Sequence, residues 1–177
     1  DQAVGLVLHG KTHREAQNLS GVNQSTIRNY TQKMYRDEAK LNALPTIDID
    51  HYEAIQSLGR IAQKRGFCVY SEHISDFNTD IGDNFRNIDL LLLKNDIIYC
   101  AVEIEKSHGL SKSLSNLFYH FKDVKYKILF VTEQAIPKAY SIRKEMGIAV
   151  NEVRIIKLHE NFEKAFIKLM ALPRLMK

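Results

Sequence analysis

Asp89, Glu103 and Glu105 are the residues whose types and spacing point most directly to chemistry. They lie within Asn87 to Ser107, NIDLLLLKNDIIYCAVEIEKS, which reads as two strands joined by a tight turn. Asp89 opens the apolar run Leu90 to Leu93, Lys94-Asn95-Asp96 supplies turn chemistry, and a second apolar run, Ile97 to Val102, leads into Glu103-Ile104-Glu105. Successive strand residues point to opposite faces, so Glu103 and Glu105 share one face and Ile104 takes the other. In the pairing that this turn favours, Asp89 meets Glu103 across the ladder. Three carboxylates gathered at the end of a greasy sheet repel one another unless a divalent cation holds them. Solvated acids on an exposed sheet edge are the competing explanation.

The elements that must position these acids are readable from residue 51 onward. A helix is expected from His51 to about Arg65, capped by Asp50, with Tyr52, Ile55, Leu58, Ile61 and Ala62 as its buried side and Gly66 as its stop. Glu53 lies in its first turn, as a dipole-compensating surface residue or as an outer ligand or water-orienting group beside the acids. Phe67 to His73 is strand-like, and the polar stretch 75–87, with Gly82 and Arg86, reads as a loop of functional length. Beyond the hairpin, an amphipathic helix over 111–121 turns Leu114, Leu117, Phe118 and Phe121 inward, with Lys112 and Asn116 one turn apart on another side. Tyr126 to Val131 is a buried strand, 134–145 a helix, Val153 to Leu158 a last strand, and Asn161 to Met170 a terminal helix. The first three strands are close in sequence and should be antiparallel, whereas the later ones follow helices, which favours parallel crossovers. The expected fold is therefore α/β, a mixed central β-sheet flanked by helices.

The N-terminal residues read as a separate helical segment. Lys11 to Tyr30 has the layout of a helix-turn-helix: Thr12 and Glu15 form a capping box, Leu19 closes the first helix, Gly21 permits a left-handed turn, and Val22 packs beneath it. Asn23 caps a second helix whose buried stripe is expected at Ile27, Tyr30 and Met34. Gln24, Ser25, Arg28, Asn29 and Gln32 then face outward, where they can bond base edges or phosphates in a major groove. Across about 25 residues this resembles the helix-turn-helix of small DNA-binding regulators, with Gln17 where such proteins place a small residue. A helical hairpin used for packing or dimerisation is the alternative. Asn42 to Asp50, with Pro45, reads as a linker, so the expected division is 1–45 and 46–177.

Composition sets the outer limits. The chain has 177 residues, 45% of them hydrophobic, and a net charge of +4. Residues 1–45 carry 6 Lys/Arg against 4 Asp/Glu, residues 46–110 carry 6 against 11, and residues 111–177 carry 13 against 6. An acidic centre between basic segments suits a metal-dependent enzyme acting on a polyanion, and equally a solvated lysine-rich surface. No run of about 18 apolar residues suggests a membrane span. Cys68 and Cys100 lie in apolar strand-like runs without metal-ligand spacing and read as buried free thiols. With no secretory signal pattern, the expected location is cytoplasmic, intracellular and reducing.

From about residue 51 to 157, the order of elements, with Asp89 heading the second strand and Glu103-x-Glu105 ending the third, resembles the PD-(D/E)XK nuclease superfamily. That superfamily includes restriction endonucleases, archaeal Holliday junction resolvases and transposon end-cleaving subunits. The resemblance implies a restriction endonuclease-like core and a Mg²⁺ or Mn²⁺ ion held by Asp89, Glu103 and the Ile104 carbonyl. Glu105 stands where most members have lysine, a variant known among restriction enzymes, and would orient or deprotonate water. Glu53 matches the helical glutamate of resolvase-like branches. Lys112 and Asn116 lie on the helix where several members keep an extra polar or basic group, and Lys112 would stabilise negative charge on the phosphoryl oxygens. Lys106 points to the opposite face.

The resulting expectation is a metal-dependent DNA endonuclease of structure-specific or restriction type. Arg86 and the helix-turn-helix would contact DNA, and a symmetric dimer or higher homo-oligomer would cut both strands. The competitor is a non-catalytic DNA-binding protein whose nuclease-like domain serves as a dimerisation scaffold, a reading kept open by the missing lysine. A structural nucleoprotein with basic tails is a third reading, and it leaves the acidic cluster unexplained.

Overall fold

The computed structural model describes residues 3 and 7 and the stretches 12–77 and 87–171. The polar loop expected at 75–87 therefore falls largely outside the described residues; only a short 3-10 turn, Ser75–Phe77, and Asn87 belong to them. Two helices open the chain, α1 (His13–Ser20) and α2 (Gln24–Asn42). The capping box forms: Thr12 N–H donates to Glu15 Oε2 at 2.7 Å, and Glu15 N–H to Thr12 Oγ1 at 3.2 Å. Gly21 takes φ 73°, the left-handed conformation that a side chain would resist, and Asn23 Oδ1 caps α2 through Ser25 N–H.

The buried stripe of α2 differs from expectation. It runs through Ile27, Thr31, Met34 and Glu38, while Tyr30 is 44% exposed and Leu19 of α1 is 64% exposed. The stripe keeps the ordinary helical spacing of four, three and four, and its far end, at Glu38, meets the sheet edge. Ala16, Ile27 and Met34 pack with Val150, which belongs to the sheet-bearing part of the chain.

After the linker come α3 (His51–Gln63), capped by Asp50, then β1 (Cys68–Tyr70), β2 (Leu90–Lys94) and β3 (Ile97–Glu105). Helix α4 (Leu110–Ser115) runs directly into a π-helical turn at Asn116–His120. The chain closes with β4 (Tyr126–Val131), α5 (Ile136–Glu145), β5 (Arg154–Lys157) and α6 (Phe162–Ala171). The five strands form one sheet in the order β1-β2-β3-β4-β5, antiparallel across the first three and parallel from β3 to β5. Asn95 and Asp96 make the β2–β3 turn with φ of 52° and 60°, the mirror-image turn that suits strand twist.

Strand alternation splits the core into two layers. Leu90, Leu92, Val102, Ile128, Phe130 and Ile156 face Ile55, Leu58 and Ala62 of α3 and Phe166 of α6. Leu91, Leu93, Ala101, Leu129, Val131 and Ile155 face Leu114 of α4, Leu117 and Phe121 after it, and Ala139 of α5. An α/β fold with helices on both faces of a mixed sheet is thus observed. Two further expectations of burial fail: Tyr52, in the first turn of α3, is 57% exposed, and Cys68 is exposed on the edge strand.

Strand β5 is the other edge, and α2 covers it with side chains instead of a sixth strand. Ile155 N–H donates to Glu38 Oε2 at 3.1 Å, Lys157 N–H to Asn42 Oδ1 at 2.7 Å, and Asn42 Nδ2 donates to Ile155 O at 3.0 Å. Glu38 also takes both guanidinium nitrogens of Arg143, at 2.8 and 2.9 Å. Glu38 and Asn42, one turn apart, so satisfy backbone groups that an open edge would leave to solvent or to another chain.

Candidate functional site

Strands β2 and β3 end at a common rim. Leu90 pairs with Val102, which makes Asp89 and Glu103 the next opposed positions. Ala101 points to the α4 side of the sheet, so Glu103 and Glu105, two and four residues on, point there too. Asp89 is 5% exposed and Glu103 8% exposed; Glu105 is half-buried. All three line one cleft of about 310 Å³, together with Ile104, Lys112 and Asn116. Glu105 is held close over Gly109: a β-carbon there would stand 2.6 Å from Glu105 Oε2, and Gly109 adopts φ +85°. Both the close approach and the left-handed backbone call for glycine.

Asn116 ties the rim together. Its Nδ2 donates to Glu103 Oε1 at 2.6 Å and to the Asn87 carbonyl at 2.8 Å. Asn87 itself has φ 71°, so the backbone leading into Asp89 is bent to present that carbonyl. The π-helical turn begins at Asn116, the kind of irregularity that re-aims a side chain at a functional site.

Two histidines absent from the sequence-based assignment complete the cleft. His51 Nε2 lies 3.2 Å from Asp89 Oδ2, and His73 Nε2 lies 3.1 Å from Asp89 Oδ1. Asp89 Oδ2 also accepts the Ile104 N–H at 2.6 Å. Glu53, expected from α3, is exposed, and His51, two residues earlier on the same turn, is the α3 residue that reaches Asp89. His73 arrives because β1 runs antiparallel to β2: Tyr70 pairs with Leu91, so the residues after β1 pass beside Asp89. A histidine at the C-terminal end of an edge strand, beside a partner strand that begins with aspartate, was the signal available for it.

The electrostatics of the rim are lopsided. Burial, then the neighbouring Asp89 charge, push the Glu103 carboxyl up to about 8, with the Asn116 bond working in the opposite direction. Hydrogen bonding to Asp89 holds His51 above the ordinary histidine value, against the effect of burial, and the Ile104 backbone and Asp50 add to it. Both shifts favour the protonated forms beside Asp89, as expected where two acids crowd together without a cation. Among the described residues no three His, Cys, Asp or Glu side chains form a ready-made metal cage. What the site offers is two carboxylates and a backbone carbonyl, a hard oxygen set that fits Mg²⁺ or Mn²⁺ with water completing the shell. The fit requires the imidazoles to yield part of Asp89, whose oxygens they share with the Ile104 N–H.

The remaining expected residues are placed as follows. Lys112 is exposed on the cleft wall and Ser113 lies beside it. Lys106 points away and lies 3.9 Å from Asp48. In the helix-turn-helix-like segment, Ser25, Arg28, Asn29 and Gln32 are exposed and Gln24 is half-buried. Arg86 lies outside the described residues.

Compared with protein-family models, with curated proteins and with solved structures, the chain gives no match. The class the coordinates define is an α/β protein with a five-stranded mixed sheet, carrying an acidic cleft at one end of its central strands. Among the described residues no helix is long and apolar enough to cross a membrane.

Proposed function

We propose that the chain is a metal-dependent DNA endonuclease with a restriction endonuclease-like core. The observation that carries this reading is the buried Asp89–Glu103 pair, which has no cationic lysine or arginine partner among the described residues and shares its cleft with Glu105, Lys112 and Asn116. Burying two like charges side by side costs free energy, and perturbed acids in a cleft are characteristic of functional sites. A bound Mg²⁺ or Mn²⁺ would supply charge neutralisation at the scissile phosphate and an acidified water. Asp89, Glu103 and the Ile104 carbonyl would hold the ion, and Asn116 keeps Glu103 pointed into the cleft. Glu105, fixed by Gly109, orients the attacking water and accepts its proton. Lys112, which lines the same cleft, would stabilise the added negative charge on the phosphoryl oxygens. The exposed face of α2, with Ser25, Arg28 and Asn29, contacts DNA, and a homodimer places two such sites on opposite strands.

Incubation of the full chain with Mg²⁺ or Mn²⁺ and a panel of linear duplex, junction and single-stranded DNA tests this. Cutting of at least one substrate, lost in Asp89→Ala and in Glu103→Ala, is expected; cutting retained by both variants contradicts the site. A second reading is favoured by one observation, the occupation of Asp89 by His51 and His73: a DNA-binding protein whose nuclease-like domain has lost its ion and serves as a scaffold. That protein would bind duplex DNA and show no saturable affinity for either ion.

A further inference from the structure

The exposed ring of Tyr52 sits beside the acidic cleft in a fixed position. It packs edge-on against both imidazoles, with ring centroids 5.7 Å from His51 at 83° and 5.8 Å from His73 at 90°. Those imidazoles in turn contact Asp89 through their Nε2 atoms. Tyr52, 57% exposed, is thus a large aromatic surface open to solvent beside the two imidazoles that contact Asp89. Asp50 and Glu53, its chain neighbours, are exposed, and the His51 and His73 imidazoles lie against its ring, so the charges around it are mixed. What the exposed ring can take is a flat group that stacks on it. In a continuous duplex both faces of each base are already stacked, so no base face is free to meet the ring.

We propose that Tyr52 is a stacking platform for an unpaired base next to the scissile phosphate, and that the substrate is DNA with a single-stranded or splayed nucleotide at the cut. This rests on the nuclease reading for its geometry and narrows it from any DNA to unpaired DNA. Base–aromatic stacking tolerates any sequence, so the platform selects structure and not base identity.

The test measures binding and cutting together, with the full chain and Mn²⁺. Fluorescence anisotropy with a dye-labelled single strand, a flapped duplex and the matching perfect duplex gives the affinities, and quenching of an aminopurine base reports stacking. Single-stranded and flapped DNA should bind more tightly than perfect duplex. Tyr52→Ala should weaken their binding roughly tenfold and abolish the quenching, the order of one lost base–aromatic stack. Tyr52→Phe, which keeps the ring, should restore both. Equal binding of single strand by wild type and Tyr52→Ala, or preferred binding and cutting of perfect duplex, overturns the proposal. If no substrate is cut, the nuclease reading fails, and the binding and quenching results still decide whether Tyr52 stacks on a base.

Discussion

Two glutamates are buried among the described residues, and their surroundings could hardly differ more. Glu38, on α2, is 4% exposed and meets a bidentate Arg143 at 2.8 and 2.9 Å, with the Ile155 N–H as a further donor. Arg143 also donates to the Val153 carbonyl at 3.1 Å. Glu103, at the rim of β3, is 8% exposed and faces Asp89 and Glu105, with the neutral Asn116 amide as its donor. The first is a compensated charge that fastens a helix to a sheet edge. The second is a carboxyl whose charged form is disfavoured by burial and by the neighbouring Asp89. What separates the two acids is their partners, since both are buried.

The largest expected effect attacks the compensated glutamate. Arg143→Ala leaves Glu38 buried with no guanidinium and should cost about 3–5 kcal/mol of stability in denaturant unfolding. A loss below about 1 kcal/mol would show that the α2–β5 seam is not structural. The opposite sign is expected at the rim. Glu103→Gln keeps a polar side chain beside Asn116 while removing the clash with Asp89, and should stabilise the metal-free chain at pH 8–9 by about 1–3 kcal/mol.

The pH dependence follows from the direction of the shifts. Glu103 is raised from 4.5 to about 8, so the folded chain binds its proton more tightly than the unfolded chain. That contribution is fully present below 4.5 and is lost as pH rises toward 8. His51 is also raised and acts with the same sign, its contribution fading as pH climbs through its folded value. Metal-free wild type should therefore lose stability across this range, with a flatter profile for Glu103→Gln and convergence of the two at acid pH. A parallel pair of profiles would mean that Glu103 is an ordinary carboxylate.

A smaller effect is expected where the rim depends on backbone. Gly109→Ala places a methyl 2.6 Å from Glu105 Oε2 at a φ of +85°. It should cost about 1–2 kcal/mol and displace Glu105, lowering any cleavage rate more than it weakens DNA binding. Smallest is Arg28→Ala on the exposed face of α2, which should weaken duplex binding by less than about tenfold and leave the melting temperature unchanged.

The parts of the fold set by local pattern were legible before any coordinates. The Asn95-Asp96 turn and the alternating apolar runs around it place Asp89 opposite Glu103, and Tyr126 to Val131 is the strand its composition indicates. What escaped was set by distant contacts. Tyr30 and Tyr52 satisfy helical spacing yet lie exposed, because the apolar stripe is fixed by which way each helix docks: α2 onto β5, and α3 onto the sheet. Glu38 and Asn42 look like surface residues until β5 is known to be an edge. His51 and His73 are 22 residues apart and meet on Asp89 only through the β1–β2 register and the docking of α3. Glu53 was the α3 residue that the resemblance suggested; it is exposed, and the α3 side chain in contact with Asp89 is His51.

The claim that Glu103 and Asp89 form a cation site is tested most directly by calorimetric titration of Mn²⁺ or Mg²⁺ into the metal-free chain at pH 7, in buffers of different ionisation enthalpy. Replacement of a proton by a metal predicts saturable binding with proton release, strongly weakened in Asp89→Asn and in Glu103→Gln. Absence of saturable binding, or binding that both substitutions leave intact, would contradict it.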